Sequence, residues 1–285
     1  MHEAPIFPPG RVTIVGVINA TPDSFSDGGR LVAADGRLDL EAACAAAHAL
    51  VAAGAHVIDV GGESTRPGAS PVSAGEEIAR TRPLLEALAK ELAVPLSIDT
   101  RSAAVAEAAL DAGAGVVNDV SGLGHDPALA AVAARTGATL ILGHLRGEPA
   151  TMQREVAFGD ALAEVGDELA EALARAEAAG VPRERLVADP GLGFGKRLAH
   201  NLELLANVGA LRARLGVPVL VGPSRKSFLG ELTGDPVEAR DLATAVACGI
   251  AVFAGADAVR VHDVAGARRA VAVAAALRDT RRQPA

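Results

Sequence analysis

The stretch "VPLSIDTRSAAVAEAALDAGAGVVNDVSG" (residues 94–122) contains the unit from which most of the chain is built. Two short apolar runs, "PLSID" at 95–99 and "GVVND" at 115–119, flank an Ala-rich segment of helical period. Runs this apolar are typical of strands buried on both faces of a parallel sheet. The stretch therefore predicts a strand-helix-strand unit in which each strand ends in a polar residue.

The same alternation recurs along the whole sequence. Eight apolar runs precede helical segments, two of which end at Gly54 and Gly180. The runs cover residues 11–17, 56–60, 95–99, 115–119, 138–142, 185–189, 218–222 and 258–262. Eight such pairs predict a single-domain α/β protein, a (β/α)8 TIM barrel over residues 1–285 with its core at about 11–275. A doubly wound open sheet remains the structural alternative.

Composition limits the classes of function. A net charge of -8 argues against nucleic acid or an anionic membrane as a partner, because both are bound through broad positive surfaces. Cys44 and Cys248 lie far apart in Ala-rich segments, as reduced thiols in a cytoplasmic protein do. The N-terminus does not resemble a signal peptide, and the apolar stretch at 243–256 is too short to span a bilayer. We expect a soluble, cytoplasmic protein.

Polar and ionisable residues stand at the ends of all eight predicted strands. They are Asn19, Asp59, Asp99 with Thr100 and Arg101, Asn118 with Asp119, His144, Asp189, Ser224 to Ser227, and Arg260 with His262 and Asp263. Taken singly, Asp99 or Asp263 could be only a helix cap. Taken together, the residues predict an active site at the carboxyl ends of the strands, where TIM barrels place it.

Two familiar motifs are not matched. "PGLGFGKR" (190–197) lacks the glycine spacing of a phosphate-binding Walker loop, and Arg197 stands where that loop needs Ser or Thr. No His or Cys spacing indicates a zinc site. Phe25, Phe194 and Phe228 lie in the predicted active-site loops, where a ring could pack either on a flat substrate or within the loop itself.

The polar residues divide into two chemical sets. Arg66, Arg260 and His262 suit phosphate oxygens, and Asn19 could add a carbonyl ligand to Mg2+ on a diphosphate. The second set, on other strands, suits the edge of a flat amino-heterocycle, because a carboxylate accepts from neighbouring N–H donors. Its members are Asp99, Asn118, Asp189 and Lys226.

Seven ordered motifs resemble the dihydropteroate synthase family, from about residue 11 to 275. They are "GVINATPDSFSDGG", "DVGGESTRPGA", "SIDT", "NDVSG", "DPGLGFGK", "GPSRKSFLG" and "RVHDV". The resemblance implies a (β/α)8 barrel that joins 6-hydroxymethyl-7,8-dihydropterin diphosphate to p-aminobenzoate, with Mg2+ as cofactor. It also implies a sulfonamide target and, commonly, a homodimer, for which "RAVAVAAAL" (269–277) is a possible contact region or simply core.

The resemblance assigns roles to matching positions. Pterin binding would fall to Asp99, Asn118, Asp189, Lys226 and Arg260. Diphosphate would be held by Asn19, Arg66, Arg260 and His262, with Mg2+ on Asn19. The p-aminobenzoate site would comprise Thr65, Pro67, Phe194 and Ser227, the first two from a mobile loop.

The chain departs from the family after strand five. It reads "GHLRG" where the family reads Met-His-Met, so we expect Gly143 to leave a gap beside the pterin unless Leu142 fills it. Two other functions stay open beside the synthase. One is a methyltetrahydrofolate-dependent methyltransferase barrel, which has no use for a diphosphate site, and the other is a pterin-binding duplicate without catalysis.

Overall fold

The computed structural model describes residues 5–21, 38–64, 72–154 and 156–282, with the backbone alone at 281 and 282. Within these residues eight strands lie in a single parallel sheet. The strands are β1 Thr13–Asn19, β2 Val57–Gly61, β3 Leu96–Asp99, β4 Val116–Asp119, β5 Thr139–Gly143, β6 Leu186–Asp189, β7 Leu220–Val221 and β8 Ala258–Val261. Each lies within two residues of its predicted position.

The sheet curls into a barrel. Its strand order is β6-β5-β4-β3-β2-β1-β8-β7, and a parallel bridge between Ala188 and Val219 joins the two ends. The amide of Ala188 also donates to the carbonyl of Pro218 at 3.0 Å, which continues the ladder from β6 to β7. The (β/α)8 prediction is therefore confirmed, and the open sheet is excluded because no strand order reverses.

Helices cover the outside of the barrel. In the described part of the chain they are α1 Leu40–Ala53, α2 Ala74–Glu91, α3 Ala103–Asp111, α4 Ala128–Thr136, α5 Ala161–Ala178, α6 Leu198–Ala206, α7 Val208–Leu215, α8 Ser227–Thr233, α9 Asp241–Ala254 and α10 Val264–Arg282. Local sequence sets their ends. Asp39 accepts from the amide of Ala42 at the start of α1, and Gly54 ends that helix with a φ of 111°.

The core has two layers. The larger one lies between the strands and the surrounding helices. The smaller one fills the lower half of the barrel with one apolar side chain from most strands, closed below by Phe7. Because the lower half is packed with hydrocarbon, the charged side chains that the described residues place inside the barrel lie toward the carboxyl ends of the strands.

The opposite end of the barrel carries a groove of about 830 Å³ lined by residues such as Arg11, His56 and Arg185. None of the site residues predicted from sequence lines it, and it lies at the end where barrels keep stability rather than chemistry. Across the described residues, no helix combines the length and hydropathy needed to cross a membrane.

Candidate active site

The residues predicted from the strand ends meet at one end of the barrel. The parallel register aligns Asn19 of β1 with Gly61 of β2, Gly61 with Asp99 of β3, and Asp99 with Asn118 of β4. Asp189 ends β6 opposite Gly143 of β5. Thr65, Arg66 and Pro67, also predicted for this site, lie outside the described residues.

Arg260 of β8 is at the centre of this polar cluster. Its Nε donates to Asp59 Oδ2 at 2.6 Å and its Nη2 to Asp99 Oδ2 at 2.6 Å. Asn118 Nδ2 donates to the same Asp59 oxygen at 3.1 Å. Asp59 is completely buried, and its Oδ1 has no hydrogen-bond partner within the described structure. One cation thus joins strands β2, β3 and β8 across the barrel mouth.

Burial changes the acidity of these groups. It raises the pKa of Asp99 to about 6, although the positive charge of Arg260 acts in the opposite direction. Burial likewise raises the pKa of Asp189, against the hydrogen bond from the Gly191 amide and the charge of Lys226. For Arg260, burial disfavours the charged guanidinium, but Asp59 and Asp99 more than offset this and raise its pKa. At the barrel mouth, burial therefore disfavours the charged forms of these side chains, and neighbouring opposite charges stabilise them.

Lys226 ends the turn that follows β7, and its side chain contacts the loop that follows β6. Its Nζ lies 3.6 Å from the centre of the Phe194 ring, within cation-π range. The glycine at 193, with a φ of 81°, lets the lysine pass, since a Cβ there would lie 3.0 Å from Lys226 Cδ. An aromatic face and an ammonium group therefore stand together beside Asp189.

A buried chain of polar groups anchors the loop that carries Phe194. Lys196, 3% exposed, lies with its Nζ 2.9 Å from His144 Nδ1 and donates to the carbonyl of Phe194 at 3.0 Å. His144 Nε2 in turn lies 2.9 Å from Glu168 Oε2. Burial lowers the pKa of His144 to about 3 and that of Lys196 to about 7. A neutral imidazole that accepts at Nδ1 and donates at Nε2 satisfies both contacts.

His262 connects the β8 end to β1 and β7. Its Nδ1 lies 2.9 Å from Ser224 Oγ, and its Nε2 lies 3.2 Å from Asn19 Nδ2. A hydrogen on Nδ1 satisfies both contacts, because Asn19 Nδ2 is a donor and Nε2 then accepts. This arrangement leaves the carbonyl oxygen of Asn19 to face other groups at the barrel mouth.

Gly143 does not leave a gap, contrary to the expectation from sequence. A Cβ at this position would lie 2.7 Å from Val120 Cα and 2.8 Å from the Val120 carbonyl oxygen. The backbone after β4 therefore occupies the space that a larger side chain would need. Glycine is required here by close approach, and neither Leu142 nor a substitute has a cavity to fill.

Three other expectations are resolved by the contacts. Asp99 is not a helix cap, since it pairs with Arg260, whereas Asp263 accepts from the Gly266 amide at 3.1 Å at the start of α10. Phe228 is 2% exposed within the outer core, so it is not a substrate-facing ring. Ser227 is exposed at the first turn of α8, and Phe25 lies outside the described residues.

Sequence reasoning underrated two residues. The strand pattern indicates Asp59 only as a strand end, but the residue lies inside β2, where a carboxylate in an otherwise apolar run signals a buried partner. Lys196 lies in the stretch 190–197 that does not match a Walker loop, and the sequence predicts no role for it. A lone lysine among glycines gives no sequence signal for burial, because its partner His144 lies 52 residues away.

The residues flanking positions 65–71 are tied together. Glu63 Oε1 accepts from the Val72 amide at 3.3 Å, and Glu63 Oε2 accepts from Arg101 at 3.1 Å. Arg101 is itself buried and pairs with Glu148 at 3.0 Å. The ends of the β2, β3 and β5 loops are thus joined by one guanidinium group.

Comparisons with protein families and with individual relatives indicate one and the same family. The profile of the family described as "Pterin binding enzyme" matches residues 15–262. A dihydropteroate synthase from a Synechocystis species is 46% identical over 268 residues, covering 94% of this chain and 90% of the relative. The dihydropteroate synthase of Escherichia coli is 44% identical over 88% of this chain and 86% of its own length.

Solved structures agree with the sequence comparison. The Yersinia pestis dihydropteroate synthase in complex with a sulfonamide drug superposes with a TM-score of 0.89 and 40% identity, covering 94% of this chain and 95% of that one. The Xanthomonas albilineans dihydropteroate synthase with 4-aminobenzoic acid gives 0.85 and 41%, covering 96% and 94%.

Proposed function

The chain belongs to the family of pterin-binding enzymes and is a dihydropteroate synthase, and from that premise we propose how the residues of its barrel mouth divide the work. The reaction transfers a pterinylmethyl group from 6-hydroxymethyl-7,8-dihydropterin diphosphate to p-aminobenzoate and releases diphosphate. The proposal assigns one set of side chains to the pterin, a second to the diphosphate and a third to the amine.

The pterin is assigned to Asp99, Asn118, Asp189, Lys226 and Arg260. A half-buried carboxylate such as Asp189 can accept two N–H groups from an amino-pyrimidine edge, and the amide of Asn118 can donate and accept. Lys226 can donate to the carbonyl oxygen or to a ring nitrogen of the pterin. The support for this set is its position on neighbouring strand ends and the raised pKa of Asp189, which reflects a site with little water.

The diphosphate is assigned to Asn19, Arg66, Arg260 and His262. Asn19 is the residue that would hold Mg2+, and its amide oxygen fits, because Mg2+ commonly takes one or two protein oxygens and completes its shell with phosphate and water. When bound, the ion would neutralise charge on the leaving diphosphate. In the other tautomer of His262, Ser224 Oγ would donate to Nδ1, and the hydrogen then carried by Nε2 could be donated to a diphosphate oxygen.

The p-aminobenzoate is assigned to Thr65, Pro67, Phe194 and Ser227. The Phe194 ring, with Lys226 above it, offers a flat apolar face next to a positive charge, which suits a benzoate. Ser227, exposed at the start of α8, can donate its hydroxyl hydrogen to the carboxylate. We expect sulfonamide drugs to compete for this site, as one binds the Yersinia pestis relative.

These assignments lead to a mechanism that depends on charge and position. The bond between the exocyclic carbon and the diphosphate oxygen breaks first, with cationic side chains stabilising the departing anion. The electron-rich dihydropterin carries the resulting positive charge, and the half-buried carboxylates of Asp99 and Asp189 stabilise it. The aniline nitrogen then forms the new bond to carbon and loses its proton to water, so no strong general base is needed.

Arg260 carries this proposal. Its guanidinium pairs with Asp99 of the pterin set, and it stands two residues before His262 of the diphosphate set. This pairing and this position support a role for Arg260 toward both halves of the pterin diphosphate.

The test is a product assay. Purified protein, Mg2+ and the pterin diphosphate are incubated with and without p-aminobenzoate, and 7,8-dihydropteroate is detected by mass beside released diphosphate. Arg66→Ala should reduce turnover by on the order of 100-fold, whereas the exposed Arg82→Ala control should match the wild type. Pterin binding without product would instead identify a non-catalytic pterin-binding protein.

The same proposal includes a single-domain homodimer that works in the cytoplasm. One continuous outer core spans elements from β1 to α10, as in a single domain. An apolar stripe on α9, formed by Leu242, Val246 and Ile250, is at least half exposed and suits a second copy of the chain, with Val273 and Leu277 of α10 beside it. Two free cysteines fit a reducing compartment.

A further inference from the structure

Arg225 has an unusual backbone conformation at the edge of the active site. It lies between Ser224 and Lys226 and has a φ of 54°, in the left-handed region that residues other than glycine rarely adopt. Within the described residues only Leu123 shares this feature among non-glycine residues. Strain of this kind persists only where neighbouring groups hold the residue in place.

The start of α9 holds Arg225 at its side chain and on both sides of its backbone. The guanidinium donates to both carboxylate oxygens of Asp241, at 2.7 and 2.9 Å. The Arg225 amide donates to Thr244 Oγ1 at 3.0 Å, and its carbonyl accepts from Arg240 Nη1 at 3.2 Å. Thr244 is 1% exposed, so the amide would have no water to replace that hydroxyl.

The conformation of Arg225 sets the direction of its neighbours. Arg225 points outward to α9, while the residues on either side point into the barrel mouth. Ser224 Oγ lies 2.9 Å from His262 Nδ1, and Lys226 Nζ lies over the Phe194 ring. If the turn relaxed to an ordinary right-handed conformation, these two side chains would no longer face the mouth together.

We propose that Arg225, held by Asp241 and Thr244, is a positioning residue that aims Lys226 and Ser224 at the pterin diphosphate. It is not a ligand of the substrate, because its guanidinium is occupied on the far side of the turn. The inference rests on the proposed function, since it concerns residues assigned there to the pterin and the diphosphate. It adds α9 to the machinery of the site, although no side chain of that helix is assigned to a substrate.

The test uses variants of α9 that leave every proposed ligand intact. Asp241→Asn removes one charge of the bidentate pair, and Thr244→Val removes the acceptor of the Arg225 amide while keeping the shape of the side chain. Thr244→Ser keeps the hydroxyl and serves as the conservative rescue. Asp167→Asn, which breaks an exposed pair with Arg214 on another face, controls for the loss of an Arg–Asp pair.

Binding of the pterin diphosphate is measured by calorimetry, beside KM, kcat and the melting temperature. We expect Asp241→Asn and Thr244→Val to weaken binding by on the order of tenfold. Thr244→Ser and Asp167→Asn should bind as the wild type does. The inference is overturned if both variants bind normally, or if binding falls only in proportion to a loss of folded protein.

The result of this binding test can be distinguished from the result of the product assay that tests the proposed function. A wild type that binds the pterin diphosphate but forms no dihydropteroate would refute the catalytic proposal, yet the binding comparison among the four variants would still decide the role of Arg225. A wild type that binds no pterin diphosphate refutes both.

Discussion

Arg260 Nε and Asp59 Oδ2 are joined at 2.6 Å although the two residues are 201 positions apart in the chain. The carboxylate is completely buried and the guanidinium is 20% exposed on its side chain. Pairs of this kind stabilise little when intact but cost several kcal/mol when one partner is removed, since a buried charge is then left without its counterion. Asp59 therefore holds Arg260 in the site, although Asp59 itself is completely buried.

We predict that Asp59→Ala destabilises the protein by about 3 kcal/mol and abolishes measurable synthase activity, because Arg260 and Asn118 both lose a partner. Asp59→Asn should lose less stability, as the amide oxygen still accepts one bond. Chemical denaturation and the product assay measure the two effects. Wild-type stability in Asp59→Ala would contradict the role given to this pair.

Gly143→Ala should destabilise the protein by about 1–3 kcal/mol and weaken pterin binding, because the added Cβ would push against the Val120 backbone, two residues after Asn118. Gly143→Met should be worse. The control is Gly75→Ala in α2, where a Cβ meets no atom within 4 Å and a helix gains from alanine. Better pterin binding in Gly143→Met would instead show that a gap exists.

Lys196→Met should raise the KM for p-aminobenzoate on the order of tenfold, with a smaller effect on pterin binding. The lysine holds the carbonyl of Phe194 and the imidazole of His144, so its loss frees the loop that carries the aromatic ring. Steady-state kinetics with each substrate varied in turn separate the two effects. Lys90→Met, at an exposed position on α2, is the matched control.

Glu77 should make stability depend on pH. Burial raises its pKa from 4.5 to about 7, so the folded state retains this proton more strongly than the unfolded state does. Its contribution is therefore fully present below about pH 4.5 and is lost as the pH rises through 7.

In the Glu77→Gln variant the side chain has no proton to lose in this pH range, so this pH-dependent loss of stability disappears. Between pH 5 and pH 8 the wild type should lose on the order of 3 kcal/mol of unfolding free energy relative to the variant. Urea denaturation of both proteins at the two pH values gives the difference directly. Parallel pH curves would mean that Glu77 is ionised in the folded protein throughout this range.

Val246→Asp should convert a dimer into monomers, since it places a charge in the middle of the apolar stripe of α9. Sedimentation velocity at matched concentrations measures the change. Leu40→Asp alters an equally apolar but separate site at the start of α1 and should leave the assembly as it is. A wild type that is already monomeric would exclude the homodimer.

Much of the fold followed from local pattern. The limits of the eight strands were predicted within two residues, and so was the alternation of strands and helices along the chain. This was possible because buried parallel strands and amphipathic helices have different hydrophobic periods. The polar residues at the strand ends followed from the same strand limits. Helix limits at Asp39 and Gly54 followed from capping chemistry. The roles of the site residues stay predictions, to be decided by the experiments above.

What the sequence could not give are the relations between distant residues. The expectation of a gap at Gly143 was wrong, because the backbone of Val120 occupies that space. The burial of Lys196 depends on His144, which follows β5 and lies far from Lys196 in the sequence. Strand periodicity is a property of neighbouring residues, so sequence alone determined eight strand-helix units whose strands end in polar residues, and it left the barrel and the open sheet as alternatives. Only the closed barrel, which brings β8 beside β1 and the start of α9 beside the turn after β7, decided which charges meet there, because the attraction between two charges falls with the distance between them and is stronger where water is excluded.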